Sequence, residues 1–166
     1  GLTRAGAARV PEDRHAEGTV GEMTVWENAV LERLGTPAFS TRGFVRRAAA
    51  RAHATDLIAR FDVRGAGPDT RIRLLSGGNM QKLILGRCLA ARPKFILANQ
   101  PTRGLDEGAI AAVHEELLAA RAEGAAILLI SEELEEAVAL SDRIQAIVKG
   151  RLSAPVAAEE ADARRL

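Results

Sequence analysis

The sequence predicts an α/β fold with a mostly parallel sheet and an inserted helical subdomain. Two short apolar runs, residues 95–98 and Ala126–Ile130, are each bounded by turn residues, which is typical of buried parallel strands. Helical patterns alternate with these runs, as they do in βαβ units. A longer and mainly helical stretch, residues 20–73, precedes both of them and predicts the subdomain.

Composition narrows the possible functions. The chain has 166 residues, of which 47% are hydrophobic, so it can form one domain or part of one. Its net charge of +1 gives no electrostatic argument for a nucleic-acid partner, and none is predicted. Because no apolar run reaches the length of a membrane span, we expect a soluble chain that can still dock on a membrane protein. The single Cys88 lies in an apolar helix and is predicted to be buried and inert.

A serine and two glycines stand directly before that apolar helix. Ser76 is predicted to cap the helix, because its hydroxyl can accept a hydrogen bond from a backbone N–H two or three residues later. Gly77 and Gly78 leave the backbone open to a ligand. The free N–H groups of a helix start can bind an anion. The stretch therefore predicts a phosphate site.

The remaining elements follow from periodicity and from turn residues. Thr24 and Glu27 form a capping-box pattern at the start of one helix. Pro11 ends a strand, and a charged loop follows it over residues 12–15. The three histidines, His15, His53 and His114, are expected at the surface or in structural roles. The pattern also predicts helices over residues 25–33, 43–61, 108–123 and 134–140, a third strand over residues 144–148, a turn at residues 149–151 and a frayed helical tail from residue 158.

Three motifs now carry a family resemblance. Residues 75–78, Leu-Ser-Gly-Gly, followed by Gln81, resemble the signature motif of ABC-type ATPases. The segments Pro-Thr-Arg-Gly-Leu-Asp at 101–106 and Ser-Glu-Glu-Leu at 131–134 follow in the order and at the distances of that family. The resemblance covers residues 7–152. Residues 10–14, Val-Pro-Glu-Asp-Arg, are similar to the second nucleotide-binding half of importers for simple sugars and nucleosides.

The resemblance implies an incomplete P-loop NTPase domain of the ABC ATPase type. On this basis residues 1–19 are the end of a core strand with a segment like the glutamine loop, and residues 20–73 are the helical subdomain. Residues 74–152 are the signature helix and α/β core, and residues 153–166 are a tail. No Gly-Lys pair occurs in the sequence, so the phosphate loop of the superfamily is missing. The chain is similar to the C-terminal two-thirds of a nucleotide-binding domain.

The resemblance also implies where nucleotide binds. In ABC dimers, ATP lies between the phosphate loop of one half and the signature of the other half. The signature residues are therefore expected to serve the ATP of the partner half; they are Ser76, Gly77, Gly78 and Gln81. Asp106 matches the loop that crosses between the two sites, although Gly-Leu-Asp alone also fits a plain turn and helix cap.

Four polar positions of the family are altered. Asn99 stands where an aspartate organises Mg²⁺, and Gln100 stands where a glutamate activates water. Glu132 replaces the switch histidine. Glu12 replaces the glutamine of the loop that senses nucleotide and contacts the permease, so the resemblance implies a nucleotide-binding position there as well. An amide can bind a water but cannot take its proton at neutral pH, and it brings no charge to a metal. No catalytic residue is therefore assigned, and the chain's own site is predicted to be hydrolytically weak or inactive.

The implied protein is the ATP-binding subunit of an ABC importer for simple sugars or nucleosides, with ATP and Mg²⁺ bound in the assembled dimer. Its implied partners are the first nucleotide-binding half or a dimer mate, the transmembrane permease subunits and, indirectly, an extracytoplasmic substrate-binding protein. Such a subunit lies on the cytoplasmic face of the membrane.

Two alternatives remain open at this point. The first is a non-transport ABC-like ATPase that acts on DNA or ribosomes, which would be expected to show long heptads or a basic surface. The second is a truncated remnant without enzymatic activity.

Overall fold

A computed structural model describes residues 6–161 of the chain. The strands are β1 (Ala7–Val10), β2 (Ser40–Thr41), β3 (Phe44–Val45), β4 (Phe95–Asn99), β5 (Ala126–Ile130), β6 (Arg143–Ile144), β7 (Ile147–Val148), β8 (Arg151–Leu152) and β9 (Val156–Ala157). The helices are α1 (Val25–Val30), α2 (Arg47–Arg60), α3 (Gly77–Leu89), α4 (Glu107–Ala122) and α5 (Leu134–Leu140).

The central sheet has three parallel strands in the order β1-β4-β5. Its registers pair Val10 with Ala98, and Asn99 with Ile130. The predicted strands at residues 95–98 and 126–130 are confirmed, as is the end of the first strand at Pro11. Because all three strands run the same way, their carboxyl ends meet at one edge of the sheet, which is where α/β folds bind ligands.

Helix α3 is the centre of the hydrophobic core. Nine of its residues are buried, and it packs on β1, α2 and α4. Its Gly86 allows Phe61 to approach, because a Cβ at that position would lie 2.6 Å from Cδ2 of the phenyl ring. The Cys88 thiol is buried here as predicted, and burial raises its pKa to about 11.

Helices α1 and α2 pack against each other in the stretch predicted to be helical. The capping box is confirmed, since the Thr24 hydroxyl accepts from the Glu27 N–H and the Glu27 carboxylate accepts from the Thr24 N–H. Trp26 packs against both the main core and a small cluster that contains Phe39 and Ala50. A 3₁₀ turn, Leu31–Arg33, completes the predicted first helix.

The predicted start of the second helix was wrong. Helix α2 begins at Arg47, and the residues before it form the β2–β3 hairpin. Its two-residue turn has positive φ at both central positions, 52° at Arg42 and 84° at Gly43, which is the geometry of a type I′ turn. Phe44 therefore lies in a strand, is 80% exposed and does not contribute to a helix face.

The predicted charged loop at residues 12–15 is also corrected. Asp13 caps a π-helical turn, Arg14–Gly18, and its carboxylate accepts hydrogen bonds from the N–H groups of His15 and Ala16. These two bonds, that of Ala16 first, lower the pKa of the Asp13 carboxyl. Gly18 is required in this turn, because a Cβ there would lie 2.6 Å from Cδ1 of Ile84.

The predicted third strand over residues 144–148 is in fact two separate strands. β6 pairs with β9, whereas β7 pairs with β8 across the predicted turn at Lys149 and Gly150. The strand is interrupted at Ala146, whose N–H donates to the Ser153 hydroxyl. The predicted tail contains one 3₁₀ turn, Ala158–Glu160, and its last five residues lie outside the described range.

No helix within residues 6–161 is long and apolar enough to cross a membrane.

Candidate functional site

The carboxyl edge of the sheet brings together three of the altered polar positions. The Gln100 N–H donates to the Ile130 carbonyl at 2.8 Å, which extends the β4–β5 pairing past Asn99. The Glu132 N–H in turn donates to Oε1 of Gln100 at 3.3 Å. Asn99, Gln100 and Glu132 are therefore neighbours in space, although 33 positions separate the first from the last.

Gln100 has an unusual backbone. Its φ of 49° lies in the left-handed region, which non-glycine residues adopt at a cost. Gln100 begins the turn after β4, in which the Arg103 N–H bonds to the Gln100 carbonyl at 3.2 Å. Its side-chain oxygen is already occupied by the Glu132 N–H. The Gln100 amide therefore connects the ends of strands β4 and β5. It cannot act as the base that takes a proton from water.

The predicted metal position lacks charge. Mg²⁺ prefers carboxylate oxygens, whereas the side chains that follow β4 at the edge are the neutral amides of Asn99 and Gln100. Within the described part of the chain, no group of three or more histidine, cysteine, aspartate or glutamate residues could hold a metal ion. These residues do not by themselves form a Mg²⁺ site.

The start of α3 has the predicted cap. Ser76 Oγ accepts from the Asn79 N–H at 3.4 Å and from Asn79 Nδ2 at 2.9 Å. The Asn79 side-chain oxygen accepts from the Arg64 N–H at 2.8 Å, which ties the loop before α3 to this helix start. The exposed Ser76 hydroxyl is thus held in place while the first amides of the helix stay available to an anion.

The two glycines of this helix start have packing roles. A Cβ on Gly78 would lie 3.2 Å from the Cβ of Ala109, so the glycine allows α3 and α4 to approach closely. A Cβ on Gly77 would lie 3.1 Å from Nη2 of Arg14. The sequence analysis assigned both glycines to ligand access, and it did not predict these neighbours.

Gln81 joins the helix to the strand edge. Its side chain is buried, and Nε2 donates to the Pro101 carbonyl at 2.6 Å. The predicted contact of Gln81 with nucleotide stays a prediction, and the side chain is buried in this structure. Through this bond α3 is fixed to the turn that follows Gln100.

Asp106 begins helix α4. Its carboxylate accepts from the Ala109 N–H at 2.9 Å, which is the geometry of an N-cap. The helix-cap role left open by the sequence is therefore observed. The crossing role that the resemblance implies stays a prediction, and the two are compatible because a cap uses only one lone pair of the carboxylate.

Glu12 lies close to the same turn. Its carboxylate forms an ion pair with the Arg103 guanidinium, and both side chains are about half exposed. Arg14, two residues later, donates from Nη1 to the Arg103 carbonyl at 2.8 Å. The segment after β1 thus contacts the turn after β4 through two side chains of opposite charge.

A buried carboxylate near the site was missed by the sequence analysis. Glu136 on α5 accepts from the Thr102 hydroxyl at 2.7 Å, and its Oε1 also lies 3.1 Å from Nε2 of His114. The expectation of a surface role for His114 is therefore corrected, because its ring faces this carboxylate and is only 24% exposed. In the sequence Glu136 is one of several glutamates between positions 132 and 136, and nothing in that run shows its partners.

Comparison with solved structures defines the fold. An ATP-binding cassette of an ABC transporter in its ADP conformation matches with a TM-score of 0.69 and 22% identity, over 96% of this chain and 63% of that one. A dimeric cassette bound to ADP and phosphate matches with a TM-score of 0.72 and 21% identity, over 92% and 62%. The chain therefore has the fold of an ABC ATPase cassette, which is a P-loop NTPase fold.

Sequence relatives are more specific. The nucleoside import ATP-binding protein NupA of Lactococcus lactis subsp. cremoris is 45% identical over 158 residues, which cover 95% of this chain and 31% of that protein. The guanosine import ATP-binding protein NupO of Bacillus subtilis is 41% identical over 165 residues, or 99% and 32%. The ribose import ATP-binding protein RbsA of Roseobacter denitrificans is 37% identical over 155 residues, or 93% and 30%.

Over 93–99% of its own length, this chain is thus similar to ATP-binding proteins of nucleoside, guanosine and ribose import. It spans about a third of the length of the curated relatives it matches. No protein-family profile matches it.

Proposed function

We propose that the chain is part of the ATP-binding subunit of an ABC importer for simple sugars or nucleosides. The start of α3 contacts an ATP that another cassette half holds, and the chain's own strand-edge site turns over slowly or not at all. In the assembled importer its partners are that second half and the transmembrane permease subunits, with an extracytoplasmic binding protein acting through the permease. The location is the cytoplasmic face of the membrane.

The observation that best supports this function is the difference between the edge of the sheet and the start of α3. At the edge of the sheet, neutral amides occupy the acid positions, and Gln100 is engaged by the Glu132 N–H. At the start of α3, the cap is intact and the Ser76 hydroxyl is exposed and ordered by Asn79. A helix start with free amides stabilises an anion, whereas an amide cannot deprotonate water.

ATP fits this helix start by charge. The phosphates would meet the exposed Ser76 hydroxyl and the first backbone amides of α3. When bound, ATP supplies the phosphoanhydride bond whose hydrolysis drives transport. The chain's own residues orient the terminal phosphate and exclude water from one side of it.

A charge substitution at the helix cap tests this function. Aspartate caps a helix as well as serine does, but it places a negative charge where the phosphate would bind. In the complete importer, Ser76→Asp should lower transport-coupled ATP hydrolysis about tenfold or more, which corresponds to a lost interaction of roughly 1.4 kcal/mol or more. Ser76→Asn, which caps without charge, is the matched control. Normal hydrolysis by the Ser76→Asp variant would overturn the proposal.

A second substitution tests the strand-edge site. Restoring both acids with Asn99→Asp and Gln100→Glu should raise the hydrolysis rate of the complete importer if this half lacks only its carboxylates. The rate should be measured with Glu132→His added and without it, because that position also departs from the family.

The substrate of the importer is tested separately, by binding sugars and nucleosides to the extracytoplasmic partner.

A further inference from the structure

Arg14 lies where three segments of the site meet. From the π-helical turn after β1, its Nη1 donates to the Arg103 carbonyl at 2.8 Å and its Nη2 to the Gly104 carbonyl at 3.4 Å. The same Nη2 lies 3.1 Å from where a Cβ on Gly77 would be. One guanidinium therefore touches the turn before Asp106 and the first residue of α3.

The two glycines near Arg14 have different roles. A Cβ on Gly77 would crowd the guanidinium, at 3.1 Å from Nη2 and 3.3 Å from Nε. A Cβ on Gly104 would lie 3.5 Å from Nη2, which is an ordinary van der Waals distance, and the glycine is favoured there by its φ of 67°. Gly77 therefore makes room for the arginine, and Gly104 provides the turn whose carbonyl accepts from it.

The backbone of Arg14 is itself held on both sides. Asp13 caps the turn that begins at Arg14, and the Thr19 hydroxyl donates to the Arg14 carbonyl at 2.9 Å. Two residues before Arg14, the Glu12 carboxylate forms an ion pair with the Arg103 guanidinium. The side chain is therefore extended from a fixed base, and little conformational entropy is left to lose when its hydrogen bonds form.

The positive charge of Arg14 lies at the start of a helix. A cation beside a helix N-terminus opposes the helix dipole, and here the cation lies beside the first residue of α3. Arg14 Nε is buried and has no hydrogen-bond partner. The positive charge and the free helix amides together favour a negative group at this helix start, which is the sign of charge that a phosphate carries.

We propose that Arg14 is a positioning residue for the composite ATP site: its guanidinium sets the distance between the signature helix start and the turn that leads to Asp106. The inference rests on the proposed function, because it concerns how the same helix start is presented to nucleotide. Arg14 acts through Gly77 and Gly104, and it links the segment after β1, with Glu12, to both of them.

The test compares two substitutions that separate geometry from charge. Arg14→Lys keeps the charge but replaces the planar fork of two nitrogens with one ammonium nitrogen, and Arg14→Gln loses both the charge and the fork. In the complete importer, both variants should raise the KM for ATP about tenfold, because a misplaced binding group weakens every contact that it presents. Arg9→Gln, which removes an exposed ion pair with Glu17 on the same segment, is the control and should leave the KM unchanged.

A second measurement needs no nucleotide. Amide hydrogen exchange of the 166-residue chain should be about tenfold faster at the hydrogen-bonded amides of Arg103, Leu105 and Asn79 in both Arg14 variants, and unchanged at residues 126–130. Wild-type KM and exchange in Arg14→Lys would overturn the positioning role, since charge alone would then suffice. If Ser76→Asp is also without effect, the proposed function itself fails; if only the Arg14 variants are neutral, this inference alone fails.

Discussion

Single residues in this chain act mainly as connectors between segments that are distant in sequence. Gln81 bonds to the Pro101 carbonyl, Gln100 to the Glu132 N–H, and Arg14 to carbonyls about 90 positions away. Most of these connectors are polar side chains with backbone partners. Such bonds fix the relative position of two segments without requiring a complementary side chain, so no paired pattern marks them in the sequence.

The buried carboxylate of Glu136 is predicted to stabilise the fold. Glu136→Ala should lower the free energy of unfolding by about 1–3 kcal/mol, because the buried Thr102 hydroxyl and the His114 ring would lose their shared acceptor. Urea denaturation of the 166-residue chain measures this. Glu135→Ala, an exposed neighbour on the same helix, is the matched control and should change stability by less than about 0.5 kcal/mol. Equal effects of the two variants would contradict a structural role for the carboxylate.

The helices and strands form for reasons that are largely local. Side-chain caps begin α1, α3 and α4, and each capping residue was evident from the order of polar and apolar residues. The β2–β3 hairpin was missed because the predicted helix began at Gly43, the second residue of its turn. Periodicity over a long window does not register a two-residue turn whose signal is positive φ.

His53 on helix α2 is predicted to make folding stability depend on pH. Burial lowers the pKa of His53 below its ordinary value of 6.5, the Arg33 guanidinium lowers it further, and Asp56 opposes them. Because the unfolded chain then binds a proton that the folded chain does not, stability is full above about pH 6.5 and falls as the pH drops below it. His53→Phe should reduce this dependence, since a phenyl ring keeps the contact with Phe39 and does not titrate.

The free energy of unfolding should be measured by urea denaturation at several pH values between about 7.5 and 5. This range extends to both sides of the ordinary histidine pKa. His15→Gln, at an exposed position on another segment, should retain the pH dependence of the parent chain. An unchanged slope in His53→Phe would show that other groups cause it.

One face of the central sheet is covered by packed side chains, and the opposite face is partly exposed to solvent. One face is covered, since Ile96 and Ala98 are fully buried in the main hydrophobic core. On β5, Leu128 is 51% exposed and Ile130 is 45% exposed, and Phe95 on β4 is 39% exposed. Apolar side chains at alternate positions of a strand share a face, so these residues form a contiguous apolar surface.

This surface leads to a prediction on association. The 166-residue chain should self-associate as its concentration rises, and Leu128→Thr combined with Ile130→Thr should weaken that association while retaining a high strand propensity. Analytical ultracentrifugation over a range of concentrations measures it. Val45→Thr, on the exposed β2–β3 hairpin, is the control and should behave like the parent chain. If the control weakens association to the same extent, a different surface is responsible.

The sequence alone determined the class of fold, the order of most elements, the helix caps and the positions of the altered polar residues. These depend on near neighbours, because periodicity, caps and turns are decided within a few residues. Tertiary structure decided that Gln100 bonds to Glu132, that Gly77 faces Arg14 and that Glu136 is shared by Thr102 and His114. Those contacts arise only when the strand ends and helix starts meet at one edge, and that meeting is a property of the packed core.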